Sequence, residues 1–332
     1  MRNIVIISVM LAFTVDGQHF SYPTLSRATE PSLILRQTIN AKQAPHAAVH
    51  GDKVTILCNN RSSLSFEQIQ LSDKQVLSKL DFLKSLTLIV HGWNGNISKP
   101  FMRKLIQNYV LHVNSSVCLV EWSGLAANEY SLVAQEGVLE VVKQLTRFVR
   151  FVHRSGLTYA NMTLVGHSLG AHIAGLVGKN VGGKIGAIYA LDPAGVLFTF
   201  PVDVGEEKRL APTDAQYVQA IYTSSGSAAM SVAAGQQNFW TNRDGAHPQP
   251  GCENVSVEND EFEEMYESVG CSHRMALVYF TAALNPQVDF RMKRCYGYLM
   301  YRSGLCALAS EDRLGIYAKR IVGNFYGTVV LP

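Results

Sequence analysis

A serine hydroxyl is a competent nucleophile at neutral pH only when a base takes its proton. A histidine base in turn needs a carboxylate that fixes its tautomer and stabilises its cation. The first residues that could supply such a set are Met162-Thr163-Leu164-Val165-Gly166-His167-Ser168-Leu169-Gly170-Ala171-His172. They read as an apolar strand turning without a linker into a helix of small residues, with G-x-S-x-G at the turn. A turn that sharp strains the serine backbone and exposes its Oγ above the sheet edge, and Gly166 and Gly170 let strand and helix pack closely because neither carries a Cβ. Ser168 is the candidate nucleophile.

In sheet-based hydrolases with this turn the acid and then the histidine follow the serine along the chain. Asp192, in Ala190-Leu191-Asp192-Pro193-Ala194, stands at the carboxyl end of a predicted strand, where open α/β sheets place ligands. It is the candidate acid. Among ten histidines, His273 follows the acid, adjoins Cys271 and opens a helical run over 274–284, with His247 the runner-up. His91, His167 and His172 flank the motifs and read as packing or hydrogen-bonding groups. Acyl transfer also demands donors aimed at the developing oxyanion. The Leu169 N–H, directly after the nucleophile, supplies one. Trp93, in the loop Val90-His91-Gly92-Trp93-Asn94-Gly95 after an early strand, supplies the other, and its side chain could wall the acyl groove.

These residues must be positioned by regular elements. Short apolar or β-branched runs over 54–58, 86–90, 117–121, 185–191 and 217–223 predict buried strands. Helical spacing marks 100–112 and 132–153, the latter with Val138, Val141, Val142, Leu145, Phe148, Val149 and Val152 on one face. Its other face carries Lys143, Arg147, Arg150 and Arg154, read as a solvated stripe. Strands alternating with helices predict an α/β fold with a mostly parallel sheet covered on both faces.

The 332 residues are 47% hydrophobic and 17% charged, enough for one sizeable core. A net charge of +3 is too mild for a nucleic-acid partner, and no Gly-rich phosphate loop is present. Arg2 precedes an apolar run over 4–15, too short to span a bilayer, so residues 1–17 read as a secretory signal peptide. Residues 18–50, interrupted by Pro23, Pro31 and Pro45, read as a leader or propeptide, and 51–332 as one catalytic domain. The mature protein is expected to be secreted. Six cysteines without C-x-x-C spacing favour disulfides over zinc in an exported chain. Six cysteines allow fifteen pairings; the nearest-neighbour one would join Cys252 to Cys271 and Cys295 to Cys306 and leave Cys58 for Cys118. Sequons for N-glycosylation stand at Asn60, Asn96, Asn114, Asn161 and Asn254.

Gly166-His167-Ser168-Leu169-Gly170-Ala171-His172, Leu191-Asp192-Pro193-Ala194-Gly195 and Cys271-Ser272-His273-Arg274, with His91-Gly92-Trp93 upstream, together resemble the pancreatic lipase family. That family also contains secreted phospholipases A1 and the insect yolk proteins. The resemblance implies an α/β-hydrolase fold of the insect-type, single-domain kind, without the family's C-terminal β-sandwich. It also implies catalytic roles for Ser168, Asp192 and His273 in cleaving lipid carboxylic esters through an acyl-enzyme, at an aggregate or membrane interface. No cofactor and no obligate protein partner are implied. The family's lid falls on 252–271, where Phe262, Met265, Tyr266 and Val269 recur at i, i+3, i+4, i+7 among acidic residues, the pattern of an amphipathic helix. The family's calcium segment falls on 206–214, but Ala211 stands where a carboxylate belongs, so no firm calcium site is expected. Gln236 and Asn238 also depart from the family pattern. The loop over 224–235 is shorter than in the triacylglycerol enzymes, a feature the family associates with phospholipase activity. Triacylglycerol lipase and phospholipase A1 stay open, and a catalytically silent, yolk-protein-like lipid carrier is the alternative.

Overall fold

The aliphatic runs of this sequence are too continuous for strands with one wet face, and they sit in the middle of a covered sheet. The computed structural model describes residues 54–59, 66–69, 80, 83–253 and 261–331, the side chains of 261–266 excepted. The expected signal and leader segments lie outside these residues. In chain order the strands are β1 (Thr55–Asn59), β2 (Phe66–Ile69), β3 (Ser85–Val90), β4 (Ser115–Glu121), β5 (Met162–His167), β6 (Ala187–Leu191), β7 (Val218–Tyr222), β8 (Gln237–Thr241), β9 (Arg291–Arg294), β10 (Glu311–Arg313) and β11 (Gly323–Gly327). The helices that matter here are α1 (Pro100–His112), α2 (Val138–Arg154), α3 (Leu169–Asn180), α4 (Glu261–Ala283) and α5 (Tyr298–Arg302). All strands join one sheet, ordered β10-β9-β11-β8-β7-β6-β5-β3-β4-β1-β2. From β4 to β11 the neighbours are parallel, while β1–β2 and β9–β10 add antiparallel edges.

Side chains that alternate along a strand point to opposite faces, and the core divides accordingly. Leu86, Leu88 and Val90 of β3 pack with Val141, Leu145 and Val149 of α2 and Ile173 and Val177 of α3. Ile89 of the same strand packs on the other face with Leu105 of α1 and Leu277 and Phe280 of α4. A parallel sheet brings the carboxyl ends of its strands to one edge, so the residues just after β3, β5, β6 and β7 assemble there. Parallel sheet, helices on both faces and a strand-serine-helix turn after β5 make this an α/β-hydrolase fold.

Close approach of β3 and α3 depends on one glycine. A Cβ on Gly170 would overlap the Val90 carbonyl and stand 2.7 Å from the His91 carbonyl oxygen, both backbone atoms with no rotamer to escape into. Gly170→Ala is expected to destabilise the fold by about 3 kcal/mol or more, read as a fall in the urea midpoint. An unchanged midpoint would show that strand and helix are free to separate.

Two expectations change. The helix expected over 132–153 is regular only as Val138–Arg154, entered through a π-helical stretch, Val133–Gly137. The amphipathic lid segment and the helical run after His273 are one helix, α4. No proline separates them, the single Gly270 costs a helix only about 1 kcal/mol, and α4 packs along α1. The four basic residues of α2 are exposed. No helix among the described residues is long and apolar enough to cross a membrane.

Candidate active site

His167 ends β5, Leu169 begins α3, and Ser168 between them is held at φ 58°, ψ −121°. Left-handed φ is uncommon for a residue with a Cβ and persists only when its surroundings enforce it. Here the Ser168 N–H donates to the Leu191 carbonyl of β6 at 3.0 Å, and its own carbonyl accepts from Ala171 N at 3.1 Å. Ser168 is 7% exposed and borders a cavity of about 540 Å³.

Asp192 follows β6, fully buried and also at positive φ, 48°. Its Oδ1 accepts from Thr223 N at 2.6 Å and Ser224 N at 3.1 Å, both just after β7. Its Oδ2 accepts from the Ser224 hydroxyl and lies 2.6 Å from His273 Nδ1. A carboxylate there makes Nδ1 the protonated nitrogen of a neutral His273 and leaves Nε2 as a base. His273 and Ser168 line the same cavity. His247, the alternative base, is not among the lining residues.

Loop 92–95 crosses directly over the serine. A Cβ on Gly92 would stand 2.6 Å from Ser168 Cβ, so only glycine admits this approach. Among the described residues neither the Trp93 N–H nor the Leu169 N–H has a hydrogen-bond acceptor. The Trp93 indole donates to Asn128 O at 2.9 Å and its ring meets Tyr130 edge-on, so the side chain walls the cavity mouth. Glu121 braces the loop from below, accepting from Ile97 N at 3.0 Å and Ser123 N at 2.7 Å, with His91 Nε2 3.4 Å away. Burial alone raises its pKa, but the hydrogen bonds from His91, Ile97 and Ser123 outweigh that and hold it at about 2.

The other histidines of the motif are structural. His167 Nε2 lies 3.0 Å from the His273 carbonyl. Burial, the largest cause, holds it well below its ordinary pKa. His172 Nε2 donates to Ala194 O at 2.8 Å, while its Nδ1 accepts from Leu210 N at 3.1 Å. Burial lowers its pKa from 6.5 to about 4. The unfolded chain therefore takes up this proton first, and stability present above pH 6.5 is lost as pH falls towards 4, by roughly 3 kcal/mol. Urea midpoints measured across that window are expected to fall, and to fall less in His172→Gln. Equal slopes would exclude His172 as the cause.

Of the expected lid residues, Val269 is buried and lines the cavity, while the side chains of Phe262, Met265 and Tyr266 lie outside the described residues. Cys58–Cys118, Cys252–Cys271 and Cys295–Cys306 are bonded. In the segment 206–214, Asp214 is bound to Lys179 at 2.6 Å and to Ala211 N at 2.8 Å. Sequence reading missed Ser224 and Glu121. Each stands at the carboxyl end of a parallel strand, the one signal that could have found them.

The family model for lipases matches residues 23–327 of this chain. Lipase member H of Rattus norvegicus is 30% identical over 280 residues, covering 82% of this chain and 60% of its own length. Phospholipase A1 member A of Pongo abelii is 29% identical over 236 residues, covering 69% of this chain and 49% of its own. The chain thus spans about half to three fifths of the length of these relatives. Among solved structures, an α/β hydrolase from a deep-sea metagenome library aligns with TM-score 0.35 and 12% identity, over 55% of this chain and 69% of that one.

Proposed function

This chain belongs to the lipase family, and we propose that it hydrolyses carboxylic esters of lipids through an acyl-enzyme on Ser168. The observation that carries the reading is the buried Asp192 carboxylate 2.6 Å from Nδ1 of His273, a histidine that shares one cavity with the strained Ser168. Ser168 Oγ attacks the acyl carbonyl while His273 Nε2 takes its proton, and Asp192 stabilises the resulting imidazolium. The free N–H groups of Trp93 and Leu169 receive the developing oxyanion. Collapse returns the proton to the leaving alcohol, and a water activated by the same histidine releases the fatty acid. The span 252–271 acts as the lid, with Val269 already at the cavity wall, so activity is tied to a lipid interface. The three disulfides support secretion into an oxidising compartment.

The test measures fatty-acid release from triolein emulsions and from phosphatidylcholine vesicles, with the protein beside Ser168→Ala. Serine-dependent release from vesicles assigns a phospholipase A1, and from triolein a triacylglycerol lipase. Equal, negligible release by both proteins overturns the enzymatic reading in favour of a lipid carrier.

A further inference from the structure

Most of the cavity wall is apolar, including Met102, Val196 and Leu277. Three charged side chains interrupt it: Lys99, Glu267 and Arg274. Among the described residues neither Lys99 nor Arg274 has an ion-pair partner. Arg274 is nonetheless placed. Its Cζ lies 5.6 Å from the centroid of the Phe101 ring. Its Nη1 reaches back along α4, ending 3.4 Å from where a Cβ on Gly270 would stand. Stacking fixes the plane of a guanidinium while leaving its edge donors unused. Lys99, Phe101 and Arg274 all line this one cavity, so both cations face the same bound lipid.

A triacylglycerol covering this mouth would take both cations out of water and offer only ester oxygens in return, an uncompensated loss. A phosphodiester repays it, because guanidinium binds phosphate oxygens bidentately and lysine adds a point charge. Glu267 precedes Arg274 by two helical turns, roughly 10 Å along the axis. The arginine side chain reaches back over part of that distance, which brings a carboxylate within range of a cationic headgroup amine.

We propose that Lys99 and Arg274 form a headgroup subsite that selects zwitterionic phosphodiester lipids, with Glu267 facing the headgroup amine. This rests on the hydrolase reading above and assigns its substrate class. The sn-1 ester and the phosphate are the two ends that Ser168 and the cation pair hold at once.

Dihexanoylphosphatidylcholine and dihexanoylglycerol, both used as monomers below aggregation, differ only in the phosphocholine group and separate headgroup recognition from interface effects. The ratio of their kcat/KM values is expected to favour the phospholipid. It is expected to fall about tenfold in Arg274→Gln and severalfold in Lys99→Gln, and to recover partly in Arg274→Lys. The change is expected mainly in KM, and the ratio to fall with added salt as exposed charges are screened. Lys99 is exposed, so its variant keeps the test valid should Arg274→Gln fold poorly. A ratio unmoved by either neutral variant, while both esters are turned over in a Ser168-dependent way, overturns the subsite and leaves the hydrolase reading standing. Turnover of neither monomeric ester, together with no Ser168-dependent fatty-acid release from emulsions or vesicles, overturns both. Millimolar inorganic phosphate is expected to compete only weakly with the phospholipid. Tight competition at micromolar phosphate would assign the pair to the free ion and overturn the headgroup assignment.

Discussion

Ser168→Ala is expected to lower ester hydrolysis about a million-fold in kcat, the scale seen when the nucleophile of a working triad is removed. What remains is the small acceleration supplied by the oxyanion donors and by binding alone. The loss is expected without unfolding. Alanine meets the same φ of 58° as serine, and the backbone bonds from Ser168 N to Leu191 O and from Ala171 N to Ser168 O are untouched. Initial rates on a soluble ester, read beside urea midpoints, check both halves. A variant that kept a tenth of the activity would remove Ser168 from the chemistry.

Asp192→Asn is expected to cost about ten-thousand-fold in kcat with the fold retained, and the direction follows from the four donors around the carboxylate. Two are backbone N–H groups, from Thr223 and Ser224, and both point at Oδ1. An asparagine would give them its carbonyl oxygen and so turn its NH2 towards Ser224 Oγ and His273 Nδ1. The imidazole would then accept at Nδ1 and carry its proton on Nε2, the nitrogen that must be free to deprotonate Ser168. Ser224, whose hydroxyl can accept as well as donate, would tolerate the swap. The cost therefore falls on kcat rather than on stability. A variant retaining a tenth or more of the wild-type kcat at neutral pH would show that the tautomer is set by another group.

Ser168, Asp192 and His273, which meet at the candidate site, were legible from local signals: glycines that a tight turn demands, a carboxylate ending an apolar strand, and a histidine beside a cysteine. The helix that His273 was expected to open begins twelve residues earlier, at Glu261. Strands β1 and β3 to β7 were legible as apolar runs, whereas β8 and β11, inner members of the same sheet, were not expected. Nor were the edges. Arg291–Arg294 and Glu311–Arg313 are strands only because β11 offers an unpaired edge for β9, and β9 then offers one for β10. Their residues carry no apolar alternation. Nor does sequence report that Ser224 would touch Asp192 and approach His273, because that contact joins three segments through the sheet order. The continuity of α4 was missed for a related reason. A glycine and a cysteine in mid-helix look like a boundary until the packing of α1 against the same helix is known.

The most direct test of the account is covalent. A fluorophosphonate that mimics the acyl transition state, followed by peptide mass spectrometry, reports which side chain is the nucleophile. A single adduct is expected on the peptide carrying Ser168, absent from Ser168→Ala and formed far more slowly in Asp192→Asn. An adduct elsewhere, or none under conditions where the wild-type protein releases fatty acid, would contradict it.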